Sequence, residues 1–188
     1  MYTAAQTLSA LMIAMGMAID GGKDSLSMVV QHENKRVLSP GTLVLSLYAR
    51  CPHIDQRVTP DFKSTASVVY LVDWSRGSSA TQDDLSGMRG TAWSVASGCF
   101  HKTSDKTCDN AACALSDPQR FITAFQCIQT CLEHGWLLSG HDKSDGGLMT
   151  TVCEMSLSGD IGVDIYWASD EYPDHTLHTF LWNEHGGW

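Results

Sequence analysis

A chain of 188 residues with 43% hydrophobic and 18% charged residues can bury a real core, and this composition excludes wholesale disorder. Twenty-one acidic residues against twelve basic ones give a formal charge of −9 with no Lys/Arg cluster, which argues against nucleic-acid binding. A phosphorylated small molecule remains compatible with that sign, because a bound divalent cation reverses the local field of an acidic site.

Residues 3–15 read as a helix with apolar side chains on nearly every side, so it is expected to be largely enclosed, and Gly16 stands where helices commonly stop. The apolar run 8–19 lacks a basic leader and falls short of the roughly twenty residues that cross a bilayer, so no membrane span is expected. Residues 17–19 and 26–30 read as extended runs that hold the polar loop Asp20-Gly21-Gly22-Lys23-Asp24-Ser25 between them. Residues 31–36 suit a hairpin connection, and 42–49 have the composition of a strand.

Pro52 and Pro60 interrupt the pattern before residues 67–72 open a densely apolar strand, which places a domain boundary at 64–66 and divides the chain into 1–65 and 66–188. Residues 73–88 read as a surface loop, 90–100 as a packed helix and 101–117 as a polar connection. Asp117-Pro118 supplies a cap followed by proline at the first helical position. Phe121, Ile122, Phe125, Ile128 and Leu132 then recur at helical spacing through residues 119–134.

The apolar stretch Trp136-Leu137-Leu138 leads into His141-Asp142-Lys143-Ser144-Asp145-Gly146-Gly147, after which Leu148, Met149, Val152 and Met155 lie on a helix closed by Gly159. Residues 162–167 alternate as a strand, and 176–182 suit a short helix. Residues 183–188 add no finishing element, so the natural polypeptide is expected to continue. The chain has no repeat and no low-complexity tract.

The loop at 141–147 concentrates the chemistry. Bare amides at a helix start attract phosphate oxygens, glycine lets backbone approach closely, and a carboxylate there reaches a Mg²⁺ that bridges phosphates. The plainer alternative is a tight turn with Asp142 or Ser144 as helix cap. For Lys23 and Asp24 the plainer alternative is a surface ion pair. Seven cysteines, with Cys108/Cys113 and Cys127/Cys131 spacings that fit no standard zinc pattern, read as reduced thiols of a cytoplasmic protein. Cys99 follows a glycine but has no identifiable base, which favours a packed thiol over a nucleophile.

Three segments in fixed order, Gly21-Gly22-Lys23-Asp24-Ser25-Leu26-Ser27-Met28, Pro40-Gly41-Thr42-Leu43-Val44-Leu45-Ser46 and residues 141–147, resemble the phosphoribosylformylglycinamidine synthase family of the large single-chain type. Val58-Thr59-Pro60-Asp61, Gly90-Thr91-Ala92 and Cys153-Glu154-Met155 extend the resemblance over nearly the whole chain. It implies a carbon-nitrogen ligase that joins glutamine-derived ammonia to formylglycinamide ribonucleotide, with ATP activating the amide oxygen. It also implies a piece of the synthetase region, which is built of paired α+β lobes. Residues 1–65 would be the end of an N-terminal lobe, and 66–188 an aminoimidazole-ribonucleotide-synthetase-like C-terminal lobe, incomplete at its end.

Position by position, Asp142 resembles the family's Mg²⁺ ligand and Ser144 its nucleotide-contacting serine. Gly22 and Lys23 resemble nucleotide contacts, and Ser25 a substrate contact. The nucleotide implied is ATP or ADP, held structurally rather than consumed. Lys23 departs from smaller-chain relatives that carry asparagine, and a cation meets phosphate directly instead of ligating metal. Arg89 stands where relatives commonly have glycine. The 188 residues show no glycine-rich ATP loop, no acidic Glu-x-x-x-Asn element and no glutaminase segment, so the chain alone is not expected to complete the reaction. The alternative is a non-catalytic homologue that acts as a binding or scaffold protein. Half a lobe would leave apolar surface uncovered, so a homo-oligomer is expected.

Overall fold

The structure is a computed structural model that describes residues 1–39, 41–74, 88, 91–98, 115, 117–166 and 174–188. They form two compact units, Met1–Pro52 and His53–Trp188. The expectations for Arg89, Cys99, Cys108, Cys113 and most of 73–88 and 101–117 lie outside the described residues. Helices and a two-stranded sheet give the α+β class expected from the sequence.

In the first unit, α1 (Tyr2–Met15) stops at Gly16, whose φ of 68° is the left-handed turn that glycine adopts without strain. Met17 then returns its N–H to the Met12 carbonyl at 2.9 Å. No residue of α1 is buried, contrary to the enclosure its composition suggested. Apolar side chains on every side call for cover on every side, and no layer in this unit supplies it. Strands β1 (Val29–His32) and β2 (Lys35–Leu38) pair antiparallel with Val29 opposite Leu38 and His32 opposite Lys35. That register leaves a two-residue connection, Glu33-Asn34, with Glu33 at a φ of 51° as such tight hairpins require. The hairpin expected at 31–36 is therefore present, with a tighter turn than the polar run suggested.

Residues 17–19, 42–49, 67–72 and the described part of 162–167 carry strand-like patterns but no ladder. A pattern of apolar side chains selects a face, whereas a strand also needs a neighbour for its N–H and C=O groups. Among the described residues β1 and β2 alone form a sheet, and Val72 finds a partner only in Trp188, with bonds of 2.8 and 3.0 Å.

The second unit contains a short 3-10 turn (Ile54–Gln56), α2 (Ala92–Ala96), α3 (Pro118–Glu133), α4 (Gly147–Gly159) and α5 (Asp174–Trp182). The start of α3 follows the sequence: Asp117 accepts from Gln119 N–H at 2.9 Å and Arg120 N–H at 3.3 Å, and Pro118 needs no acceptor. Phe121 and Phe125 on α3 join Trp74 and Trp188 in one aromatic cluster, with Trp74 and Trp188 centroids 4.0 Å apart.

Helix α4 packs on α5, and its Val152 and Met155 share the small core with Phe62 and Met88. Gly159 permits this packing, because a Cβ there would lie 2.6 Å from both the N and O of Phe62. Phe62 N–H in turn reaches the Met155 carbonyl at 3.2 Å. Beside it, hydrogen bonds from Lys63 and then Thr59 hold the Asp61 carboxyl below the usual carboxylate range. This brace is present above that range and is lost as pH falls through it; at an exposed site it contributes little. Among the described residues no helix is long and apolar enough to cross a membrane.

Candidate functional site

The loop at 141–147 owes its shape to one backbone pairing. Lys143 N–H donates to the Gly187 carbonyl at 2.8 Å, and Gly187 also bridges to Asp73, so the stretch around Lys143 is extended. Side chains alternate along extended backbone, which sends Lys143 inward and its two neighbours outward together. Burial follows that rule: Lys143 is 6% exposed, while the Asp142 side chain is 68% exposed and Ser144 is also on the surface.

Inside, Lys143 Nζ donates to Asn183 Oδ1 at 2.8 Å. Asn183 is the most deeply buried of the large described side chains, at 2% exposure. Its Nδ2 donates to the Thr179 and Phe180 carbonyls at 2.6 and 3.2 Å, and its Oδ1 also accepts from His185 N–H at 3.2 Å. Three residues after Lys143 the backbone turns through Gly146 and Gly147, with φ values of 81° and 66°. Gly147 is wedged against backbone: a Cβ there would lie 2.7 Å from the carbonyl oxygens of both Leu181 and Asn183.

Neither Asp142 nor Ser144 caps α4 with its side chain. The N-cap position is Gly146, which has no side chain to offer. The expectation of bare amides at the helix start is corrected for the first two of them. Gly147 N–H is taken by the Ser144 carbonyl at 3.0 Å, and Gly146 N–H by Glu184 Oε1 at 2.7 Å. The same Glu184 oxygen accepts from Ala92 N–H at 2.7 Å, tying α2 to the loop. His141 supports the other side: Nε2 lies 3.2 Å from Glu154 Oε2, and Nδ1 lies 2.7 Å from the Asp142 carbonyl and 3.5 Å from Asp142 Oδ1.

Asp142 and His141 border a cavity of about 740 Å³ within the second unit, walled mainly by apolar side chains such as Phe62, Leu132, Val152 and Met155. That volume lies in the range of small-molecule sites. Among the described residues no group of three or more His, Cys, Asp and Glu side chains gathers to hold a metal ion. A single exposed carboxylate does suit Mg²⁺ that arrives with phosphates, since this ion keeps several waters and takes only one or two protein carboxylates.

The first unit holds the other residues singled out from the sequence. Gly22 is exposed with open space around its Cα. Lys23 Nζ donates to Ser25 Oγ, and Asp24 Oδ1 accepts from Leu26 N–H at 2.8 Å, so the segment is a self-contained turn instead of a Lys23–Asp24 ion pair. Asp142 and Ser144 thus share one face in the second unit, while Gly22, Lys23 and Ser25 belong to one turn of the first.

Cys51, Cys127, Cys131 and Cys153 are free thiols. Desolvation, then neighbouring Cys127, pushes the Cys131 thiol up, which makes it a poor nucleophile. Sequence reasoning missed Asn183, Glu184 and Gly187, the partners that hold the loop. Their signal was the Gly186-Gly187 pair, of which Gly187 bridges to Asp73 and to Lys143.

Residues 76–183 match the model of the AIR synthase related protein, C-terminal domain, and the chain belongs to that family. Residues 1–50 match the FGAR-AT PurM_N-like domain. The particular relatives carry one name: the chain is 37% identical to phosphoribosylformylglycinamidine synthase of Homo sapiens over 162 residues, which is 86% of this chain and 11% of that protein. It is 36% identical over 172 residues to the probable chloroplastic/mitochondrial phosphoribosylformylglycinamidine synthase of Arabidopsis thaliana, covering 90% of this chain and 11% of the relative. For the Dictyostelium discoideum synthase the identity is 34% over 179 residues, covering 88% and 12%. The chain therefore spans about a ninth of the length of these relatives, and the resemblance carried by the three sequence segments is borne out. No solved structure matches it.

Proposed function

We propose that this chain is a nucleotide-holding part of a phosphoribosylformylglycinamidine synthase, which converts formylglycinamide ribonucleotide to formylglycinamidine ribonucleotide with ATP and glutamine-derived ammonia. The observation that carries the reading is the placement of Asp142 and Ser144 on one exposed face, on either side of buried Lys143, with Asp142 bordering the 740 Å³ cavity. Asp142 would hold Mg²⁺ on the phosphates of ADP or ATP, and Ser144 would donate to a phosphate oxygen. The metal supplies charge neutralisation, the main service a protein renders in phosphoryl chemistry. Buried Lys143 and its Asn183 acceptor fix the backbone between the two outward side chains, so their spacing is set before the ligand arrives.

The resemblance assigns Gly22 and Lys23 to the nucleotide as well, and Ser25 to the ribonucleotide substrate. A lysine in an exposed turn supplies a point charge suited to phosphate. The 188 residues alone are proposed to bind nucleotide without turnover.

The test is calorimetric titration of the 188-residue chain with ADP and Mg²⁺. Asp142→Asn is expected to weaken binding by about tenfold or more, the cost of one charged contact, without lowering the melting temperature of this exposed position. Equal affinity in the two proteins would refute the assignment of Asp142.

A further inference from the structure

We propose that Glu184 makes nucleotide binding at this loop dependent on the metal, by filling with its own carboxylate the place where a bare phosphate oxygen would sit. The proposal rests on the nucleotide reading above and deepens it. The start of a thirteen-residue helix such as α4 attracts anions through its unpaired amides and its dipole. Here the two leading amides, those of Gly146 and Gly147, are already engaged internally. Glu184 Oε1 lies 2.7 Å from Gly146 N and 2.7 Å from Ala92 N, so two amides from separate helices converge on one side-chain oxygen. Gly147 N–H is used as well, by Ser144.

Glu184 cannot drift away easily. The residue before it is the buried Asn183, tied to Lys143, Thr179 and Phe180, and Gly187 after it is paired to Lys143. Gly147 rests directly on the Leu181 and Asn183 carbonyls, so the loop and the exit of α5 are packed as one piece. A metal-free polyphosphate approaching Asp142 and Ser144 therefore meets two carboxylates, Asp142 and Glu184, and finds the Gly146 amide occupied. With a divalent cation on Asp142 the local sign reverses, and the same phosphates are drawn in. Glu184 thus acts as a specificity device that admits the metal complex and rejects the free nucleotide.

The experiment titrates ADP into the 188-residue chain in Mg²⁺ and, separately, in EDTA, for the wild type, Glu184→Gln and Glu184→Ala. Glutamine keeps an oxygen acceptor for both amides and removes only the charge; alanine frees the amides. The wild type is expected to bind in Mg²⁺ and at least about a hundredfold more weakly in EDTA. In Glu184→Gln the EDTA affinity rises about tenfold while the Mg²⁺ affinity stays within about twofold, so the ratio shrinks. Glu184→Ala, if folded by circular dichroism, shrinks it further. A purely structural tie would leave the ratio unchanged in Glu184→Gln and would weaken both affinities together in Glu184→Ala. Either result, in a wild type that binds Mg²⁺·ADP, overturns this proposal and leaves the nucleotide reading standing. A wild type that binds ADP in neither buffer overturns both.

Discussion

Gly147→Ala is expected to cost the second unit about 3 kcal/mol. The position has a φ of 66°, where an L side chain pays roughly 1–2 kcal/mol for its Cβ. The new carbon would also lie 2.7 Å from the Leu181 and Asn183 carbonyl oxygens and 2.9 Å from the Trp182 carbonyl carbon. These are backbone atoms at the end of α5, so they cannot rotate aside as a side chain would, and overpacking of this kind adds about 1–3 kcal/mol. At the neighbouring Gly146 the three atoms nearest to a Cβ all belong to the Thr150 side chain instead of to backbone. Urea denaturation gives the measurement, and a loss below about 1 kcal/mol for Gly147→Ala would show that the loop does not rest on the exit of α5.

Asn183→Ala is expected to be comparably severe for a different reason. Removing the carboxamide takes an acceptor from the buried Lys143 ammonium and from His185 N–H, and a donor from the Thr179 and Phe180 carbonyls. At 2% exposure, water cannot readily replace them. A buried hydrogen bond contributes about 0.5–1.5 kcal/mol and one to a charged group about 1.5–3 kcal/mol, so losing these contacts together is expected to cost about 3 kcal/mol. For a chain of this size that lowers Tm by about 10 °C. An unchanged Tm would mean that Lys143 is not anchored through Asn183, and the shared outward face of Asp142 and Ser144 would lose its explanation.

Helices were the most legible part of the fold because their signals are local. Asp117-Pro118 and the spacing of Phe121, Ile122 and Phe125 mark α3, and Gly16 marks the end of α1. The strand patterns misled, because pairing depends on residues distant in sequence. Val72 meets Trp188, while 42–49 meets no strand at all among the described residues.

The candidate site was half legible. Asp142, Ser144 and the paired glycines stood out, since each residue type has its own chemical reason to be in such a loop. Their supports did not. Lys143 reads as a surface charge until its pairing with Gly187 turns it inward, and Glu184 lies thirty-eight residues from the amide it holds. A lone acidic residue near the end of a sequence says nothing of a contact at that distance. The consequence is substantive: the leading amides of the helix start inferred to be an anion trap, those of Gly146 and Gly147, are already engaged, which shifts the burden of phosphate binding toward Asp142 and its metal.

The most direct measurement replaces Mg²⁺ with paramagnetic Mn²⁺ and follows the amide signals of the 188-residue chain by NMR as Mn²⁺·ADP is added. The account predicts selective broadening of residues 141–147, beginning at Asp142 and Ser144, which Asp142→Asn abolishes. Broadening confined to other segments, or the same pattern in Asp142→Asn, would contradict it.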